Sequence, residues 1–294
     1  MKFVFFGSPE FASIILEKLI AAGFVPEAVV CNPDRPVGRK KVITPPEVKR
    51  LIANGKLQIE ILQPENVNAI RDKLLAIRPD FFIVAAYAKI LPKDIVEMPR
   101  LGTIGVHPSL LPKYRGASPI QSAILAGEKE TGVTLYLLDE KMDHGPILAQ
   151  QELEFTISNL QFTKLLEELA KLSGELLAET LPKFLANEIT PKPQNESEAT
   201  YTKKFSTEDA FVEEKELESA LSGADPEIAG VIYRKILALT PEPGVWTYAN
   251  TLTNGHIRIS DGTKRVKFLE AELQNGKLIL KVIQIEGQKP VKVR

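Results

Sequence analysis

A single cysteine, Cys31, and only three histidines in 294 residues leave no material for a disulfide framework or for the spaced ligands of a zinc site. Both scarcities suit a reducing compartment, and the chain is expected to be cytoplasmic and to need no metal. No apolar run nears the roughly twenty residues that a membrane-spanning helix needs, so no membrane partner is expected. The apolar opening Met1–Phe6 stops at Gly7-Ser8-Pro9-Glu10, too short for the core of a secretory signal. An excess of one charge sign is missing too. With 37 Lys and Arg against 38 Asp and Glu, a nucleic-acid partner has to be met by local basic patches rather than by bulk charge. Internal repeats are absent, and so is the Gly-x-Gly-x-x-Gly turn of dinucleotide-binding domains. What remains, 44% hydrophobic and 26% charged, is the composition of a globular protein long enough for two domains with a core each.

What is present is an alternation of strands and helices. Lys2 to Phe6 is β-branched and aromatic, a buried first strand. Gly7-Ser8-Pro9 closes it, with Ser8 as N-cap and Pro9 as first residue of a helix whose stripe is Phe11, Ile14, Ile15 and Leu19. Ala28–Cys31 is a second strand. It leads into Asn32–Lys41, a Pro- and Gly-rich loop carrying Arg35, Arg39, Lys40 and Lys41, either a solvated loop or one that grips anions. Thr44-Pro45-Pro46-Glu47 has the form of a capping box opening a helix to Gly55. Phe81–Ala86 is a continuous apolar strand, as in a parallel sheet covered on both faces, and its exit is Tyr87-Ala-Lys-Ile90-Leu91-Pro92. This is the pattern of a doubly wound, Rossmann-like α/β domain.

The stretch Gly102–Gly116 organises the rest. A short apolar segment ends at Val106, and a Pro- and Gly-punctuated turn then leads to a helix near Ser118-Pro119, so His107 sits at a strand exit. In open α/β sheets that is where ligands bind. A strand from Thr131 to Leu138 delivers Asp139 and Asp143 toward the same end, and either acid could orient His107. Taken alone, these residues leave a structural and a catalytic His107 both open. Farther on, Ile147–Leu153 is an edge-like strand, and Asn159 to about Asn187 a long helix interrupted near Gly174 and Pro182.

Composition then changes. Thr190–Ala199 is polar and Pro-containing, which divides the chain into 1–189, a linker at 190–204, and 205–294. Beyond Lys203-Lys204 come an acidic helical stretch and a helix from Pro226 to Leu239. Short strands then follow, broken by the hairpin signals Asp261-Gly262 and Asn275-Gly276. An OB-like β-barrel fits so small a set of strands. From Ile228 to Arg294 there are 11 basic and 5 acidic residues, and a basic small barrel is a common nucleic-acid platform.

The run His107-Pro-Ser-Leu-Leu-Pro-Lys-Tyr-Arg-Gly116, followed by Thr131-Gly-Val-Thr134 and Asp143-x-Gly145, resembles the signature of the folate-dependent formyltransferases. The likeness is greatest to the branch acting on initiator methionyl-tRNA, and it continues through both ends of the chain. It implies a cytoplasmic, monomeric enzyme that moves the formyl group of 10-formyltetrahydrofolate to the α-amine of methionine on that tRNA. By the resemblance, His107 and Asp143 are catalytic. Ser109, Leu110, Leu111 and Pro112 shape the folate pocket, with Tyr87, Ile90 and Leu91 on its pterin side. Gly38-Arg39-Lys40-Lys41 is similar to a tRNA-gripping loop, Arg39 most clearly, and Phe11 is either a substrate contact or plain core. One position departs: the family's Asn-x-His has Gly105 for Asn. Loss of such an oxyanion donor costs roughly 2.7–4 kcal/mol of transition-state stabilisation where nothing replaces it. Gly105 leaves room for a water, a backbone N–H or another side chain, His144 being a candidate by its nearness in sequence; His144 and His256 otherwise read as incidental. The alternatives are formyl transfer to another amine such as an amino sugar nucleotide, hydrolysis of formyl-folate, and a weakly active tRNA-binding homologue.

Overall fold

The computed structural model describes residues 1–38, 40–154, 161–248, 251–252, 257–258 and 264–293. Its contacts divide into two units. One comprises residues 1–116, 131–153 and 166–201, and the other residues 117–130, 154–165 and 202–294.

The first unit is α/β. The chain runs through β1 (Phe3–Gly7), α1 (Glu10–Ala21), β2 (Ala28–Val30), the short strands β3 (Arg35–Val37) and β4 (Val42–Thr44), α2 (Glu47–Asn54), β5 (Glu60–Leu62), α3 (Arg71–Ile77), β6 (Phe81–Ala85), α4 (Lys93–Val96), β7 (Thr103–His107) and β8 (Arg115–Gly116). After α5 (Pro119–Ala126) come β9 (Glu130–Leu137), β10 (Ile147–Glu154), α6 (Phe162–Leu185) and β11 (Tyr201–Thr202). Five strands lie parallel in the order β5-β2-β1-β6-β7, so the chain starts mid-sheet and winds outward both ways. β9 adds antiparallel to β7, and β10 forms the edge. The central strands β1 and β6 are apolar throughout because both their faces are covered: Phe3, Val4, Phe5, Phe6, Phe81, Phe82 and Ile83 are fully buried. Phe3 stacks on Phe81 with centroids 5.2 Å apart, and Phe6 meets Phe82 edge-on at 5.0 Å.

Several local expectations change. Pro9 rather than Ser8 holds the N-cap of α1, and Ser8 Oγ instead accepts from the Asn32 amide at 2.9 Å, tying β1 to the exit of β2. Thr44 does not cap α2, because it pairs with Arg35 in the β3–β4 hairpin and its hydroxyl donates to the Val42 carbonyl at 3.0 Å; Pro46 stands at the cap. The basic loop is thus a hairpin, its Gly38–Lys41 turn closed by a 3.1 Å backbone bond. α6 runs unbroken through Gly174 and Pro182, held by the buried face Leu169, Ala170, Leu177 and Leu181.

The stretch expected as a linker is anchored on the first unit from 192 to 201. Lys192 and Ile147 exchange backbone hydrogen bonds at 2.7 and 2.9 Å, and the Thr200 carbonyl accepts from the Arg115 amide at 2.9 Å. It buries little apolar surface, yet it satisfies polar groups of the turn after β7.

In the second unit α5 packs on α8 (Pro226–Leu239), and Arg234 Nε donates to the Leu125 carbonyl at 3.1 Å. Asp225 caps α8 by accepting from the Glu227 and Ile228 amides, both at 3.0 Å. α7 (Glu214–Ser222), β12 (Val245–Tyr248), the short pair β13 (Thr251–Leu252) and β14 (Ile257–Arg258), β15 (Arg265–Gln274), β16 (Lys277–Ile285) and β17 (Val291–Lys292) complete it. β12, β15, β16 and β17 form an antiparallel sheet in that order. Asn275 and Gly276, at φ 50° and 75°, make the tight β15–β16 turn that an Asn-Gly pair favours. The other hairpin signal, Asp261-Gly262, lies outside the described residues.

Candidate active site

His107 is the last residue of β7, zipped between β6 and β9 with Thr134 opposite it, and is 5% exposed. Its Nε2 lies 2.9 Å from the Tyr114 carbonyl. A carbonyl only accepts, so Nε2 carries a proton and donates it. That leaves Nδ1 as the nitrogen able to gain and lose a proton, and it faces Asp143 Oδ2 at 3.7 Å. The turn that supplies the Tyr114 carbonyl places Tyr114 at φ 61°, an uncommon conformation for a bulky residue and one found where geometry serves a site.

Asp143 arrives by a different route from the expected one. Because β9 is antiparallel to β7, its carboxyl end lies opposite Ile104, at the start of β7 rather than beside His107. The loop after β9 returns to close the gap. Asp143 adopts φ 50° there, a conformation that Asp tolerates better than most residues. Its Oδ2 accepts from the Gly116 amide at 2.7 Å and its Oδ1 from the Tyr136 hydroxyl at 2.6 Å. Its carbonyl accepts from Gln194 Nε2 at 2.9 Å, and the same amide donates to the Gly145 carbonyl at 2.8 Å.

Gln194 is held in turn by Arg115, which is fully buried. Arg115 Nε and Nη2 donate to Gln194 Oε1 at 3.1 and 2.8 Å, and its Nη2 and Nη1 to the two Glu196 oxygens at 2.6 and 3.1 Å. Hydrogen bonding to Arg115 holds the Glu196 carboxyl below the ordinary range, and Glu196 in turn raises the guanidinium. Gln194 and Glu196, inside the stretch expected as a linker, thus brace the Asp143 loop together with Arg115. Nothing in composition marked Gln194, and Tyr136 read as one more apolar strand position.

The remaining candidates fall into three groups. Ser109 is fully buried and its hydroxyl donates to the Lys113 carbonyl at 2.7 Å, so it braces the turn; Leu111 is buried beside it, and Leu110 and Pro112 are partly exposed. Thr134 secures this turn, its hydroxyl donating to the Ser109 carbonyl at 2.7 Å and accepting from the Leu111 amide at 3.0 Å. Tyr87 is buried, its hydroxyl has no hydrogen-bond partner among the described residues, and the same burial pushes that hydroxyl up to about 12. Leu91 is partly buried against the same core, whereas Ile90 is 95% exposed. Lys40 and Lys41 are exposed on the β3–β4 turn, and Arg39 lies outside the described residues, as does His256. Phe11 is buried core at 4% exposure. His144 is paired with other carboxylates: its Nδ1 lies 2.5 Å from Asp139 Oδ2 and its Nε2 3.3 Å from Glu196 Oε1. Asp139 therefore serves His144 while Asp143 serves His107.

A proton-exchanging imidazole nitrogen opposite a braced carboxylate suits a reaction in which an amine loses a proton and a leaving nitrogen regains one. The family model described as "Formyl transferase" matches residues 1–181. Methionyl-tRNA formyltransferase of Enterococcus faecalis is 45% identical over 232 residues, 78% of this chain and 72% of that one. The Bacillus pumilus enzyme of the same name is 37% identical over 294 residues, 99% of this chain and 85% of its own. Among solved structures, the N-formyltransferase from Helicobacter canadensis in complex with folinic acid and dTDP-3-aminofucose superposes with a TM-score of 0.61, covering 94% of this chain and 88% of its own at 18% identity, which shows a shared fold. With the matched region spanning more than half of its residues and both relatives above a third identity, this chain belongs to the formyl transferase family, in its methionyl-tRNA formyltransferase branch.

Proposed function

We propose that the chain transfers the formyl group of 10-formyltetrahydrofolate to the α-amine of methionyl-initiator tRNA. The observation that carries the chemistry is the committed Nε2 of His107, which leaves Nδ1 alone to exchange protons against Asp143. The folate supplies an activated one-carbon unit, so the protein's part is orientation, charge and proton traffic. His107 Nδ1 takes the proton that the attacking amine must lose, Asp143 balances the imidazolium so formed, and the proton passes to the folate nitrogen as its bond to the formyl carbon breaks. The low exposure of the two side chains, 7% for His107 and 16% for Asp143, strengthens that attraction relative to water.

Support for the donor comes from the unpartnered Tyr87 hydroxyl, a buried polar group that a ligand's hydrogen-bonding edge would satisfy, with Leu91 and the exposed Ile90 beside it in the chain. Ser109, Leu110, Leu111 and Pro112 form the apolar turn on the folate side. For the tRNA, Arg39, Lys40 and Lys41 are assigned to phosphates or an unpaired base at the acceptor end. The antiparallel sheet of the second unit is assigned to an OB-like barrel with a basic surface. Residues 1–189 act as the catalytic domain, 190–204 as the connection and 205–294 as the tRNA-binding domain, working as a monomer in the cytoplasm.

The tRNA is preferred over an amino sugar nucleotide because the relatives at 37–45% identity over most of the chain are named methionyl-tRNA formyltransferases. The test is formyl transfer from labelled 10-formyltetrahydrofolate to charged initiator tRNA, to an amino sugar nucleotide, and to water. Label on the tRNA alone, reduced roughly 10²–10⁴-fold by His107→Asn, is the expected result. Label on the sugar, or formate released without transfer, would reject the assignment.

A further inference from the structure

Gly105 and Tyr136 are cross-strand partners in the β7–β9 register. A Cβ added at Gly105 would stand 2.5 Å from Tyr136 Cε1 and Cζ and 2.5 Å from Leu138 Cδ1, closer than real side chains approach. The phenol therefore lies in the space that any side chain at 105 would need. Tyr136 is 6% exposed, and its hydroxyl ends on Asp143 Oδ1 at 2.6 Å.

Resting on the assignment of His107 and Asp143 to the reaction, we propose that Tyr136 is a positioning residue that acts through Asp143, and that glycine at 105 is present to admit its ring. The two oxygens of Asp143 then have separate duties. Oδ1 is engaged by Tyr136, while Oδ2, held by the Gly116 amide, is the one presented to His107 Nδ1. Without the phenol the carboxylate keeps a single donor among the described residues, the Gly116 amide, and rotation about its last bond can exchange the oxygen facing His107. Burial, and the nearby Asp143 charge, hold the Tyr136 hydroxyl well above its ordinary titration range, so it remains a donor throughout the range in which the enzyme works. Departure from asparagine at 105 is on this view one half of a coupled replacement, and restoring a side chain there lowers activity.

Single-turnover and steady-state formylation by the full chain test this. Tyr136→Phe keeps the ring and removes only the hydroxyl. It should lower kcat roughly ten- to hundredfold, the worth of one hydrogen bond to a charged group, with KM for both substrates within about twofold and a modest loss of thermal stability. Combined with Asp143→Asn it should cost nothing beyond Asp143→Asn alone, which an independent structural role of Tyr136 would not produce. Gly105→Ala should lower kcat and stability together, and adding Tyr136→Leu should recover stability by vacating the space. A Tyr136→Phe enzyme with wild-type kcat beside an inactive Asp143→Asn enzyme would overturn this inference and leave the site assignment standing. Wild-type kcat in Asp143→Asn would overturn the assignment itself and the inference with it, and a Gly105→Asn enzyme as active as the parent would refute the coupling.

Discussion

The two arms of the site are built differently. His107 ends a strand with neighbours on both sides, and its ring is fixed by a carbonyl seven residues ahead, so sheet hydrogen bonds and a local turn define its place. Asp143 sits in a loop at a left-handed backbone angle and is held by a phenol, one backbone amide, and the side chain of Gln194. A strand shares each residue's position among many backbone bonds, whereas a loop depends on a few donors, some of them distant in the chain. The difference predicts that substitutions of equal structural cost will have unequal catalytic cost.

Gln194→Ala sharpens that contrast most. It removes the only side chain that donates to the Asp143 and Gly145 carbonyls among the described residues, and it strips Arg115 of one acceptor. A stability loss of about 1–3 kcal/mol in a denaturant titration is expected, together with a kcat fall of at least about tenfold at unchanged KM. Thr134→Val is the matched change on the other arm: nearly isosteric, it deletes a buried hydroxyl bonded to Ser109 and Leu111. A similar loss of stability is expected, but kcat should fall by less than about threefold because β7 still places His107. Equal kcat losses in the two variants would break the comparison.

The smallest effect is one of pH. Glu196 has a carboxyl held below its usual 4.5 by Arg115 in the folded chain, so folding releases its proton more readily than the unfolded state does. The stability it contributes is present above about 4.5 and is lost as pH falls through the lower folded value. Glu196→Gln should therefore reduce stability slightly at neutral pH and flatten its decline below pH 4.5, as read from melting temperature across pH 3–7. An unaltered slope would show that the Arg115 cluster does not couple to folding.

The His107 arm and the whole hydrophobic frame were legible because they are local. Continuous apolar runs at Phe3–Phe6 and Phe81–Ala85 can only be strands buried on both faces, and a turn rich in Pro and Gly after Val106 puts His107 at a strand exit. The Asn275-Gly276 hairpin was legible for the same reason, its two positive φ angles being written in the residue types. Less could be read where two readings shared one composition. Thr44-Pro-Pro-Glu47 has the letters of a capping box, but pairing across a hairpin claimed Thr44 first. Residues 190–201 bury little and so resemble a linker, yet their value lies in polar groups that meet partners some fifty to eighty positions earlier in the chain.

What the chain's residues determined by themselves was the alternation of strands and helices, the place of His107, and the family signature, all carried by neighbours in sequence. Only the tertiary structure decided that the strand before Asp143 runs antiparallel, that a buried Arg115 and a remote Gln194 brace its loop, and that Tyr136 fills the space beside Gly105. The reason is physical: local conformation follows from short-range sterics and hydrophobic period, whereas a hydrogen bond between distant side chains exists only once the sheet has chosen its register.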